Sequence, residues 1–334
     1  MKKMGFVKSE KENERRIALL PDDMDDLKDF ADYLVFETGY GKEFGIDDKE
    51  YQANGAHTAA REEILRTCDI VCDPKVGDAE YLGELKEGRT LFGWVHPHVC
   101  EEVKTILLRK KFEVYAWEEM MEEGMQVFYK NNVLAGESAV RHACQCYGML
   151  PAGKRAAVIG KGNAALGAVK ALTQDGAEVI VYGRNQEEKL RMDIGEFDIL
   201  VNAVLWDPKR KDHIIDKETL CHAKKEALLI DVSCDKAGAV ETSHPTTYEC
   251  PLYVEEGVVH YCVDHTPSIY YRTASSYISE QVKRFVRPLV TGEADRILES
   301  GWVIGGGRKP LKEGWRENGK KAGKGGKGDM DGQG

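Results

Sequence analysis

The chain has 334 residues, 42% of them hydrophobic and 31% charged, and carries a net charge of −10. That length has room for two domains with large cores, and the composition is that of an ordinary globular protein. The negative balance excludes nucleic acid or an anionic membrane surface as the main partner, and no apolar run reaches membrane-spanning length. The first residues lead into no signal-peptide core, so a cytoplasmic protein is expected, with its nine cysteines reduced.

Residues 5–7 read as a first strand, followed by a charged loop over 8–16 and the apolar run Ile17-Ala18-Leu19-Leu20-Pro21. Asp22 or Asp23 can cap a helix running to about residue 33. Strands are expected over 34–37, 69–72, 90–95 and 113–116, with helices over 47–54, 61–67, 81–86 and 101–110 between them. This alternation predicts a parallel α/β domain over 1–133. A long helix over about 134–147 then leads into the second half. It carries His142, Cys144 and Cys146, but residues two apart on a helix point to different faces. Buried thiols are expected there, and no metal.

The stretch from Ala156 to Gly167 organises the second half. Ala156-Ala157-Val158-Ile159 reads as a buried strand, Gly160-Lys161-Gly162 as a turn, and Asn163 as the start of a helix. Gly160 permits the tight turn, Gly162 lets the backbone approach a pyrophosphate, and Ala165 takes the third small position where helix meets strand. A strand over 177–182 follows at the distance a βαβ unit requires. An NAD site usually ends that strand on an Asp or Glu. Here it ends Tyr182-Gly183-Arg184-Asn185, and Arg184 offers a planar cation for a 2′-phosphate. The expected cofactor is therefore NADP(H), bound in a domain over 134–269. Strand candidates over 198–204, 227–232 and 258–263 complete a doubly wound sheet, with Val204 and Asp235 as further cofactor contacts. A helix within 275–289 should pack back on the first domain, which assigns 270–305 to it. Residues 306–334 form an extension, rich in Gly and Lys from 319 and expected to be disordered.

The fold expected is thus two Rossmann-like domains, each a mostly parallel doubly wound sheet, with the active site in the cleft between them. Four polar groups fall at or beyond strand ends, where such domains bind ligands: Arg16, Lys75, His96 and Asp235. They supply two cations for a carboxylate, a group titrating near neutrality and a carboxylate near the cofactor. A dehydrogenase acting on a 2-oxo acid or its imine needs such a set.

At these residues the chain resembles the alanine dehydrogenase and transhydrogenase family. Glu14-Arg15-Arg16-Ile17-Ala18-Leu19-Leu20-Pro21 is similar to the family's E-x-R-V-A-L-x-P signature. Lys75 matches its substrate lysine, His96 its catalytic histidine, and Asp231-Val232-Ser233-Cys234-Asp235 its D-V-x-x-D run. Gly183-Arg184 departs from the aspartate of alanine dehydrogenases, and His265-Thr266-Pro267-Ser268 replaces their N-M-P-G segment. The runs Gly93-Trp94-Val95-His96-Pro97, Tyr182-Gly183-Arg184 and Thr266-Pro267-Ser268-Ile269-Tyr270-Tyr271-Arg272 look more like the members that reductively condense pyruvate with the side-chain amine of ornithine, using NADPH. Fungal-type saccharopine dehydrogenases resemble it more distantly.

The resemblance implies that Arg16 and Lys75 hold the oxo-acid carboxylate, and that His96 protonates the carbinolamine oxygen, with Lys75 beside it. Asp235 would orient the amine, and Arg272 would meet the amino acid's own carboxylate. The substrates are small molecules, and a homo-oligomer, dimer or tetramer, is expected. Two rivals stay open: a simple alanine dehydrogenase using ammonia, and a protein that senses NADP(H) without turnover. His98, past Pro97, is expected to be dispensable.

Overall fold

The computed structural model describes residues 1–96, 101–207 and 209–305. His98 and the extension over 306–334 lie outside the described residues.

The first half builds strands β1 (Met4–Phe6), β2 (Leu34–Glu37), β3 (His57–Ala59), β4 (Ile70–Cys72), β5 (Thr90–Gly93) and β6 (Glu113–Ala116). Between them lie helices α1 (Asp48–Ala53), α2 (Arg61–Thr67) and α3 (Glu101–Arg109). A short hairpin follows, β7 (Met121–Glu122) with β8 (Met125–Gln126), then α4 (Tyr129–Tyr147). The second half contributes β9 (Arg155–Ile159), α5 (Asn163–Gln174), β10 (Glu178–Tyr182), α6 (Glu187–Asp193), β11 (Ile199–Asn202), α7 (Lys217–Leu220), β12 (Leu228–Asp231), β13 (Leu252–Glu255) and β14 (Val258–Tyr261). The chain closes with α8 (Tyr271–Thr291), α9 (Arg296–Ser300) and β15 (Trp302–Ile304).

Two sheets result. The first runs β15-β6-β5-β4-β1-β2-β3, parallel except for β15, which returns antiparallel to β6. The second runs β10-β9-β11-β12-β14-β13, parallel except for β13 at its edge. The central strands are covered on both faces, and their short apolar runs fit that position. Helix α8 belongs to the first sheet. Its Ile278, Val282, Phe285 and Leu289 join Phe6, Phe36, Phe92 and Trp117 in one core.

Each sheet has a place where the chain reverses its direction of winding. In the first sheet β1 has β2 on one side and β4 on the other; in the second, β9 lies between β10 and β11. A crevice opens at the carboxyl ends of such a strand pair. The first crevice is walled by the loops after β1 and β4, the second by the turns after β9 and β11.

Helices α4 and α5 touch backbone to backbone. A Cβ on Gly136 would stand 1.8 Å from the Ala164 carbonyl oxygen, and one on Gly167 1.8 Å from that of Val133. The helix that leads out of the first domain is therefore seated directly on the helix that follows the glycine turn.

Several elements differ from the sequence expectation. Residues 21–33 form two 3₁₀ turns, Pro21–Asp23 and Asp25–Tyr33, and not an α-helix. Asp23 does not cap: its carboxylate accepts from Ser279 at 2.6 Å and pairs with Lys283 at 3.0 Å, both on α8. Residues 81–86 likewise hold a 3₁₀ turn, Glu80–Gly83. Strand β11 ends at Asn202, two residues before Val204, because the Asn202 side chain takes the Val204 amide at 3.3 Å and donates to Asp231 at 2.8 Å. The edge strands β3, β13 and β15 were not expected: β3 (His57–Ala59) has no apolar run, and β13 (Leu252–Glu255) and β15 (Trp302–Ile304) are too short to stand out.

Candidate functional site

At the second crevice, Gly160 holds φ at +115°, and a Cβ there would lie 2.8 Å from the Ala203 carbonyl oxygen. Glycine is required on both counts. A Cβ on Gly162 would meet nothing within 4 Å, so the space before it is open. Asn163 starts α5, whose N-cap Gly162 gives no side-chain cap; the first amides are left for a ligand. Ala165 is buried where α5 meets the sheet. Val204 overhangs the turn, its Cγ2 3.6 Å from the Gly160 Cβ position, and its carbonyl accepts from Ser233 at 2.6 Å. Open space, unpaired amides and small side chains fit a dinucleotide pyrophosphate.

Beyond β10, Gly183 donates its N–H to Gln186 at 2.9 Å. Arg184 is exposed and has no side-chain partner among the described residues. Lys161, inside the glycine turn, has no role by motif alone. Its Nζ stands 3.2 Å from where a Gly183 Cβ would be, so a second cation lies against the same bend.

At the first crevice the loop after β1 brings in Arg16, buried at 3% exposure. Its Nε donates to Glu14 at 2.7 Å, a second nitrogen pairs with the other Glu14 oxygen, and a third donates to Asn131 of α4 at 3.0 Å. The guanidinium also lies over Trp94, 4.8 Å from the ring centroid. Burial pushes the Glu14 carboxyl up, but Arg16 dominates in sum and holds it down at about 2. The loop after β4 brings in Lys75, also buried, with Nζ 3.4 Å from Asp78. Lys75 lies close enough to Glu14 to stabilise its charge as well.

His96 follows β5 with φ at +49°, an unusual conformation for a residue with a side chain. Glu118 holds it there, accepting its backbone N–H at 2.5 Å and lying 3.7 Å from its Nδ1. Desolvation pushes the imidazole below its ordinary value; Glu118 works against that shift and Lys75 adds to it. Asp78 and Asp264 also act on the ring. The structure therefore gathers Arg16, Lys75 and His96 into one electrostatic group.

The remaining candidates lie elsewhere. Asp235 stands past β12 among Asp231, Trp206 and Gly238. Burial, then the charge of Asp231, raises its carboxyl to about 6. Arg272 is exposed at the start of α8, where it donates to the Phe44 carbonyl at 3.1 Å and flanks the Phe44 ring. These contacts are with Phe44, on the loop after β2, and with Tyr271. His142 bonds the Tyr261 hydroxyl at 2.8 Å, and among the described residues no cluster of His, Cys, Asp or Glu is arranged to hold a metal ion.

Sequence reasoning missed Lys11, Asp78, Glu118, Asn131 and Asp264, and gave Glu14 no role although it stands in the quoted signature. They arrive on loops and on α4, with no spacing to mark them. Positive φ is shared by His96, Cys234, Ala237 and His265, all just beyond strands of the two sheets. Backbone strain of this kind gathers at functional sites, and only the folded chain displays it.

Comparisons with known proteins show the family to which the chain belongs. The family models described as "Alanine dehydrogenase/PNT, N-terminal domain" and "Alanine dehydrogenase/PNT, C-terminal domain" match residues 5–134 and 183–308. The chain is 32% identical over 309 residues to N(5)-(carboxyethyl)ornithine synthase of Clostridium botulinum, covering 85% of this chain and 93% of that relative. It is 31% identical to the synthase of the same name from Lactococcus lactis subsp. lactis, covering 83% and 92%. An alanine dehydrogenase of Halomonas elongata is 26% identical, covering 85% and 86%. Among solved structures, an L-alanine dehydrogenase superimposes with a TM-score of 0.76 at 20% identity, covering 92% of this chain and 96% of that one. A transhydrogenase from Sinorhizobium meliloti gives 0.76 at 19%, covering 92% and 99%. Among the described residues no helix is long and apolar enough to cross a membrane.

Proposed function

The chain belongs to the alanine dehydrogenase/PNT family of oxidoreductases, which bind a nicotinamide nucleotide, and on that premise we propose that it is an NADPH-dependent reductase joining pyruvate to the side-chain amine of a basic amino acid, ornithine before lysine. The observation that carries this reading is the grouping of Arg16, Lys75 and His96 at a winding reversal of the first sheet. The synthases named above give the reading its substrates. A cytoplasmic homo-oligomer acting on small molecules belongs to the same reading.

Gly160, Gly162, Asn163, Ala165 and Val204 would hold the dinucleotide, and Arg184 its 2′-phosphate. When bound, the reduced nicotinamide supplies the hydride. Lys75 and Arg16 hold the oxo-acid carboxylate. Arg16 arrives already paired with Glu14, so it acts through its remaining N–H groups, while Lys75 shares Asp78 with Lys11 and keeps charge for the substrate. An ammonium must lose a proton before its nitrogen can attack the ketone carbon. Asp235, with its carboxyl raised to about 6, suits that transfer and then orients the amine. The resulting carbinolamine must lose its hydroxyl as water, and His96 donates the proton. Substrate carboxylate and ketone oxygen replace water around the ring, and Glu118 opposes its loss of charge.

The test is a matrix of oxo acids against amines, followed by NADPH oxidation and product mass. Turnover with ammonia alone would establish the alanine dehydrogenase reading instead, which the 26% identical relative favours. Flat NADPH absorbance with every pair would leave a sensing protein.

A further inference from the structure

One charged group in the cleft has no part in the chemistry above. Lys11, on the loop after β1, reaches across to Asp264, which follows β14 in the other domain, and the two form a close ion pair. The same Nζ lies 3.2 Å from Asp78, which in turn lies 3.4 Å from Lys75. The sequence Lys75, Asp78, Lys11, Asp264 is thus a chain of alternating charges. It starts at the residue assigned to the oxo-acid carboxylate and spans both domains. Asp78 and Asp264 both act on His96, so the chain passes the proposed proton donor. The Lys11 side chain is 22% exposed and that of Asp264 45%, which leaves the pair open to a ligand.

A second feature marks the same spot. His265, next to Asp264, has a side chain only 9% exposed; its Nδ1 faces the Asp264 carboxylate at 3.6 Å, and its Nε2 is shielded from water with no hydrogen-bond partner among the described residues. Its backbone is at φ +45°. Buried polar atoms left without partners are uncommon, and those in a strained loop facing a charged cleft point to a ligand's atoms.

Resting on the reading above, we propose that Lys11 and Asp264 form the receptor for the α-amino-acid head of the amine substrate. Lys11 takes its α-carboxylate and Asp264 its α-ammonium, with His265 completing the site. Ammonia carries no such head, and an enzyme that used it would need no such pair. An amino acid presents one anion and one cation on a single carbon. It can insert between Lys11 and Asp264, replacing one ion pair by two with no charge left alone. A diamine lacking the carboxylate would leave Lys11 only Asp78, which it shares with Lys75, and an amino acid lacking the α-ammonium would leave Asp264 only His265. Discrimination by unpaired charge is stronger than discrimination by shape. The side-chain amine, four bonds from the α-carbon of ornithine, is then carried along the chain of charges toward Lys75 and His96.

The test uses the full-length protein with NADPH and pyruvate and three amines: ornithine, putrescine (no carboxylate) and 5-aminopentanoate (no α-ammonium). Wild type should prefer ornithine over both. In Lys11→Met the ornithine-to-putrescine ratio of kcat/KM should fall by about 10- to 150-fold, the span of a charge-assisted hydrogen bond. In Asp264→Asn the ornithine-to-5-aminopentanoate ratio should fall by the same order. Asp264→Glu, which keeps the charge, should restore part of it. If Lys11 and Asp264 only latch the domains, every amine suffers alike and the ratios stay at wild-type values, which would overturn the receptor and leave the reductase intact. A wild type that turns over ammonia and ignores ornithine would overturn both. Ratios are read within one preparation, so partial unfolding of a variant cannot imitate either result.

Discussion

Glu14 and Arg16, two residues apart, are joined by a buried two-point ion pair beneath the β1–β4 crevice. The proposed carboxylate-binding arginine is therefore neutralised in advance and fixed in orientation, with Asn131 and Trp94 completing its surroundings. Glu14→Gln removes the countercharge and leaves a buried guanidinium alone. A loss of about 3–5 kcal/mol in denaturant unfolding is expected, as for a buried pair deprived of one member. The Glu14 carboxyl sits lower in the folded chain than its ordinary 4.5, at about 2. Its stabilisation is thus fully present above about pH 4.5 and fades as pH falls toward 2. Acid unfolding of Glu14→Gln should lack that component; an unchanged acid profile would show that the pair does not hold Arg16.

The seat of α4 on α5 makes a second prediction. Gly136→Ala or Gly167→Ala places a Cβ 1.8 Å from a carbonyl oxygen of the facing helix. The helices must separate, at about 1–3 kcal/mol or more by the usual cost of overpacking. Because α5 carries the glycine turn, NADPH affinity should fall with stability. Variants that unfold normally yet bind the cofactor as wild type does would show that the helices part without strain.

Cofactor choice rests on the bend after β10. Arg184→Ala should weaken NADPH by roughly 10- to 150-fold and leave NADH nearly unchanged. Lys161→Ala should act in the same direction, since its ammonium lies against Gly183. Equal weakening of both cofactors by Arg184→Ala would remove the arginine from the 2′-phosphate.

The pH profile tests the proton carriers. Asp235 must be ionised to take the amine's proton, and its carboxyl is raised to about 6. Activity should therefore fall as pH drops through about 6, and fall again at higher pH as His96 loses the proton it donates; the residual rate of Asp235→Asn should lack the acid limb. A wild-type limb near 4 would assign it to an ordinary carboxylate.

Much of this was legible before folding. The glycine turn announced itself because its residues are dictated locally: Gly160 by its positive φ, the strand before it by an unbroken apolar run. Lys75 and His96 were visible because they fall just past strand ends, and Arg16 because it stands in the signature run Glu14 to Pro21. Their meeting at one crevice was not, since it depends on β4 pairing with β1 across β2, α1, β3, α2 and their loops. Lys11 and Asp264 lie 253 residues apart and meet only when the two domains face each other. Asp23 shows the opposite case, a helix cap by local rule that α8 claims for a tertiary contact. Arg272 reads as a candidate in the segment Ile269-Tyr270-Tyr271-Arg272; it lies at the start of α8, and its bond to the Phe44 carbonyl could be seen only in the folded chain.

The most direct measurement concerns His96. Wild type and His96→Ala are compared with pyruvate, ornithine and NADPH, with the product identified by mass. Wild type should form the carboxyethyl derivative of ornithine. His96→Ala should lose about 10²- to 10⁴-fold in turnover, the span of a general acid, while NADPH affinity holds. Near-normal turnover in the variant, or a defect confined to a raised KM for pyruvate, would contradict the role of His96 as proton donor in the condensation.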